Sequence, residues 1–145
     1  MTALVDISSD NLDHRLRRAG FAFAVGSAIH VADHLRRGRG SISDTLYALG
    51  NTALVIQVVA ITLIATRHRL APMVAAVAGP SLAIGFFAAH WLPHWSAVSD
   101  PVWEVTSIRW LSVIASIVEI VGAVMVGAAG FSIVLRDVRR QHVAG

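Results

Sequence analysis

Four apolar stretches, roughly residues 20–35, 46–66, 70–93 and 105–135, follow one another along the chain with short polar breaks between them. A bilayer core of about 30 Å is crossed by around 20 helical residues, so each stretch is long enough to span. Composition agrees, because 55% of the residues are hydrophobic, 14% are charged, and the mean hydropathy is +0.64. That balance lies far from an ordinary soluble domain. The expected fold is all-α: an integral membrane four-helix bundle, formed by residues 1–145 as a single domain. The first stretch is short between Arg18 and Arg36 and needs those arginines to snorkel. The fourth is long enough to tilt, or to leave the bilayer as an Arg-rich helix.

The chain contains no lysine, which makes its basic residues easy to follow. With four spans and an inner N-terminus, one side collects Arg15, Arg17, Arg18, Arg67, Arg69, Arg136, Arg139 and Arg140. The other holds Arg36, Arg37 and Arg39, with Arg109 just inside the last span. This bias predicts both termini in the cytosol of a bacterial cytoplasmic membrane. Trp91, Trp95, Trp103, Trp110 and Tyr47 then fall near the outer face, where amphipathic rings prefer to lie. The first stretch has no small-residue cleavage pattern and reads as a retained span. The polar segment from Asp6 to Asp13 reads as a disordered tail or an interfacial helix.

A net charge of +3 and a pI near 11 would point a soluble protein toward nucleic acid. Here the arginines flank spans as topology anchors, so no nucleic-acid partner is expected. The bilayer is the expected partner, with a homo-oligomer or a larger membrane complex consistent with so small a bundle. Without cysteine there are no disulfides and no thiolate sites, and any metal must use nitrogen and oxygen ligands.

Two strings carry the chemistry. His30-Val31-Ala32-Asp33-His34 and His90-Trp91-Leu92-Pro93-His94 each place a His-x-x-x-His pair at one end of a span. Imidazoles seldom sit beside lipid without a partner. Spans one and three run the same way, so both pairs are expected at the outer face, where a bundle lets them meet. His30, Asp33 and His34 share a helix face, and Asp33 reads either as a ligand or as the acceptor that fixes a histidine tautomer. Pro93 disfavours helix at Leu92, so His94 is expected to leave the face of His90. Gly79-Pro80 indicates close packing or a kink, with no chemistry attached.

Other polar residues lie deeper. Asn51 on span two reads as an interhelical hydrogen-bonding group, and Gln57 reads as structural. In span four Arg109, Ser112, Ser116 and Glu119 form a stripe expected to face the bundle interior. Glu119 is the costliest residue in the chain, since a carboxyl at that depth must be paired, hydrated or protonated. Its readings include proton carrier, metal ligand, water-linked counter-ion to Arg109, and partner of Ser116 or Gln57. Arg109 itself is expected to pair with Glu104, Asp100 or Asp33, or to snorkel outward.

The strings His-x-x-Asp-His-x-Arg-Arg-Gly (30–38) and His-x-Leu-Pro-His-Trp-Ser-x-x-Ser-Asp-Pro (90–101) resemble signatures of small four-span membrane proteins of high-GC bacteria. That resemblance implies the fold over most of the chain and brings no activity with it. Three functional readings stand. In the first, His30, His34, His90, Asp33 and His94 bind a zinc, copper or iron ion, with Asp33, Glu104 and Glu119 as candidate catalytic groups for hydrolysis or redox chemistry on a membrane substrate. In the second, His30 and His90 ligate a b-type haem in an electron-transfer or anchor subunit. In the third, the protein is a non-enzymatic accessory or pH-sensing subunit.

Overall fold

In a computed structural model the chain is all-helical among the described residues, 2–144, with side chains described for 11–143. Four long helices account for most of it: α1 (Thr2–Arg37), α2 (Asp44–Ala65), α3 (Ala71–Trp91) and α4 (Arg109–Ala144). The segment 6–13, read as a tail or interfacial helix, is backbone helix continuous with α1. Likewise, the Arg-rich C-terminus continues α4.

Local chemistry sets the helix ends. Gly38 takes φ 82°, open to a residue without Cβ, and its amide bonds the His34 carbonyl at 3.0 Å, closing α1. Ser43 caps α2 by accepting from the Leu46 amide at 3.0 Å. At the end of α3, Leu92 is extended at φ −89°, ψ 156°, as Pro93 requires of the residue before it.

Contacts order the helices antiparallel in sequence. Gly20 of α1 faces Ile64 of α2, Gly79 of α3 faces Gly127 of α4, and Phe23 of α1 meets Gly122 of α4. α1 and α3 therefore run parallel. The α3–α4 and α1–α4 contacts are the closest, and they use missing side chains. A Cβ on Gly79 would come within 2.5 Å of the Gly127 amide nitrogen, and one on Gly26 within 2.8 Å of the Val118 carbonyl. Glycine lets the backbones touch there, as small residues do at membrane helix interfaces. Helix α2 is held more loosely. Its buried residues are Leu46, Gln57, Ala60 and Ile64, so its C-terminal half is packed while much of its N-terminal half stands away from α1 and α3.

Three helices, α2, α3 and α4, are long and apolar enough to cross a membrane. α1 falls short of that measure because its C-terminal half carries Ser27, His30, Asp33 and His34. All of these except the half-buried His34 are buried. Polar breaks in the pattern thus mark where α1 turns toward its neighbours. Tyr47 and the four tryptophans gather at the end of the bundle where α1 meets α2 and α3 meets α4. Arg67 and Arg69 lie at the other end.

Candidate metal centre

Parallel α1 and α3 bring His30, His34 and His90 together. The ring centroids are 4.6 Å apart for His30–His34, 4.9 Å for His30–His90 and 5.8 Å for His34–His90. One ligand nitrogen from each ring lies within 4.8 Å of the other two. Burial is deep, since His90 is 4% and His30 is 9% exposed. Phe86 packs against His30 and gives the cluster an apolar wall.

Each ring is also held from behind. His90 Nδ1 lies 3.0 Å from the Asp100 carbonyl oxygen, an acceptor only, so Nδ1 carries the proton and Nε2 keeps its lone pair. The Asp100 carbonyl reaches that position because the α3–α4 loop folds back over the end of α3: the Asp100 amide bonds the Ala89 carbonyl at 2.8 Å. Leaving the helix at Leu92 is what allows this return. Below the cluster, His30 Nδ1 lies 3.1 Å from Glu119 Oε2, off the line of an ideal hydrogen bond. Glu119 is 1% exposed, and its other oxygen accepts from Gln57 Nε2 at 3.0 Å.

His34 joins the network from above. The Arg37 guanidinium, which can only donate, lies 3.3 Å from His34 Nδ1. That assigns the His34 proton to Nε2, which sits 2.9 Å from His30 Nε2 and donates to it. Hydrogen bonds therefore run in one direction from Arg37 through His34 to His30, whose Nδ1 stands beside Glu119. Arg37 is anchored in turn by an ion pair with Asp100.

The other sequence candidates lie apart from this centre. Asp33 faces away, accepting from Arg36 Nη2 at 2.7 Å and from the Ser112 hydroxyl at 2.7 Å. It ties α1 to α4. His94 is exposed and 3.8 Å from Glu104, outside the cluster, because the chain leaves helix geometry before it. Asn51 donates to the Tyr47 carbonyl of its own helix at 2.9 Å instead of bridging helices. Of the span-four stripe, Ser112, Ser116 and Glu119 are buried, whereas Arg109 is exposed and donates to the Val105 carbonyl at 3.2 Å. Arg37, Asp100 and Gln57 hold the centre together but were not singled out as site residues by sequence. Asp100 was read as a candidate partner of Arg109 and lies in the string 90–101, but it pairs with Arg37 instead.

The donor set suits a small cation. Metal-bound histidines characteristically give their second ring N–H to a carbonyl or carboxylate; His90 does so to the Asp100 carbonyl, and His30 Nδ1 has the Glu119 carboxyl 3.1 Å away. Tetrahedral nitrogen ligands at about 2.0–2.1 Å from zinc stand about 3.3 Å apart. To bind, the 2.9 Å between His30 and His34 would have to widen and the nitrogens, now within 4.8 Å of one another, close to that spacing, with the His34 proton moving from Nε2 to Nδ1 and Arg37 turning away from it. No protein-family model, curated protein or solved structure matches the chain.

Proposed function

We propose that the chain is a four-span integral membrane protein that holds a transition-metal ion through His30, His34 and His90 near the outer face of the bundle. The observation that carries this reading is the convergence of three imidazole nitrogens within 4.8 Å, two of them backed by an acceptor on the opposite ring nitrogen. With no cysteine in the chain, nitrogen donors suit zinc, copper or iron. Three protein ligands resemble a catalytic site more than a closed structural one. When bound, such an ion supplies Lewis-acid or redox chemistry toward a membrane substrate. The protein's share is to hold His30 from below through Glu119 and Gln57, and His90 from above through the Asp100 carbonyl.

A bare ion fits the ring spacing better than haem. A porphyrin between His30 and His90 would need rings with centroids 4.9 Å apart to be driven to opposite sides of a macrocycle, against the close seating of α1 and α3 on α4. The four-span topology, with both termini inside, rests on the sorting of arginines and aromatic rings to opposite ends. α1 takes its place in the bundle by close contact with α4.

Elemental analysis and visible absorption of detergent-purified protein test the reading. A stoichiometric transition metal without a Soret band is expected. His30→Ala and His90→Ala should each lose it, while His14→Ala, His68→Ala, His94→Ala and His142→Ala should keep it. A Soret band would favour the haem alternative. Full metal in both cluster variants would leave only the accessory role.

A further inference from the structure

The loose seating of α2 leaves a cavity of about 980 Å³ between its outer half and the α1–α3 pair. That is at the upper end of small-molecule sites, about 300–1,000 Å³. Its long wall is apolar, including Leu49, Met73, Val77 and Phe86, while His30, His34, His90, Gln57 and Glu119 converge at one pole. Gly50 on α2 and Gly85 on α3 are exposed cavity residues, and a Cβ on either would meet nothing within 4 Å. The space therefore opens sideways between two helices of membrane-spanning length.

The polar pole has its own demand. Gln57 is 3% exposed, and with its amide nitrogen committed to Glu119 its carbonyl oxygen has no partner. A buried acceptor without a donor is costly, so an occupant offering an O–H is favoured. An anionic head is not, because a carboxyl group already lines the pole and the nearby cations are taken. Arg36 is paired with Asp33, Arg37 with Asp100 and Arg39 with Asp44.

We infer that this cavity binds a neutral single-chain amphiphile with a hydroxyl head, a long-chain or isoprenoid alcohol, whose tail lies between α2 and α3 and whose head donates to Gln57 beside the histidines. The inference rests on the metal reading for the chemistry the head would meet, and on the cavity alone for the binding.

Photolabelling of the full chain in phosphatidylcholine nanodiscs, both chelator-stripped and zinc-loaded, tests it with a diazirine-bearing hexadecanol. Saturable labelling confined to α2 and α3 peptides is expected in both preparations. Unlabelled hexadecanol should compete about tenfold better than hexadecanoic acid, and Gln57→Leu should weaken binding about tenfold, the loss of one buried hydrogen bond. Gly85→Phe, which grows into open space, should abolish labelling while zinc content and the thermal transition stay unchanged. Labelling that rises linearly with probe, spreads over all lipid-facing helices, persists in Gly85→Phe or yields equally to the acid would overturn the inference. So would chain-to-chain crosslinks across α2 and α3 that exclude the probe, which would make a second copy the occupant. Saturable labelling of a protein that takes up no metal upholds the cavity and removes the metal reading. Zinc uptake without saturable labelling does the reverse.

Discussion

Glu119 and Asp33 are both buried carboxyl groups near the histidines, yet their neighbours assign them different work. Glu119 lies 3.1 Å from His30 and is held by Gln57, so it acts on the ligand ring. Replacing it with glutamine preserves its size and removes the carboxylate acceptor. Metal affinity should fall about 10–100-fold, as for other losses of a carboxylate behind a metal-bound histidine, measured by competition against a chromophoric chelator. An unchanged affinity would reduce Glu119 to packing. Asp33 instead joins Arg36 to Ser112. Asp33→Asn should lower stability by about 1–3 kcal/mol in detergent thermal denaturation and leave metal stoichiometry intact. Loss of metal would restore Asp33 as a ligand. The pairing of His30 with His34 was legible in the sequence because i,i+4 spacing is local. Gln57 was one of the partners read for Glu119, and the two meet across 62 residues; the meeting of Arg37 with Asp100 across 63 was not legible. Such meetings depend on helix rotation and on an irregular loop, neither of which has a period to read. Asp33 took Arg36 and Ser112 as partners, and Arg109 was left at the surface for the same reason.

At the scale of the element, two kinds of glycine occur in these helices, and they separate cleanly by what surrounds them. Gly26 and Gly79 stand where backbone meets backbone, at 2.8 Å and 2.5 Å from an added Cβ. Gly26→Ala and Gly79→Ala should each cost about 1–3 kcal/mol by forcing α4 away from α1 or α3. Gly26→Ala should also weaken metal binding, since Val118 precedes Glu119. Gly50→Ala and Gly85→Ala meet nothing within 4 Å and should stabilise by up to about 1 kcal/mol through helix propensity. A thermal series in one detergent checks all four, and equal effects at both kinds of site would contradict the packing. Three of the four expected spans were legible from apolar length, and the exit of His94 from helix geometry from a single proline. The stand-off of α2 was not, because its hydropathy is as high as that of its neighbours and lipid rewards an unpacked apolar face as well as a packed one.

For the whole molecule, the issue is which compartment the histidine centre faces. The cluster lies at the end of the bundle that carries Tyr47 and the four tryptophans, opposite Arg67 and Arg69. The positive-inside rule counts arginines close to the ends of spans, and that count predicts that the histidine end faces outward. Arg36, Arg37 and Arg39 run against the bias, but each is paired with an aspartate, which explains their presence at that end through structure instead of insertion. Because the chain contains no cysteine, single substitutions report on sidedness without background. Ser41→Cys, in the exposed turn between α1 and α2, should react with a membrane-impermeant maleimide on intact cells. His68→Cys, in the turn between α2 and α3, should react only after the membrane is permeabilised. The reverse pattern would place the centre on the cytosolic side, where an ion would be drawn from a buffered, reducing pool and any membrane substrate from the inner leaflet. Protection of both positions would mean that the helices lie along the bilayer instead of crossing it, and the four-span topology would fall with that result.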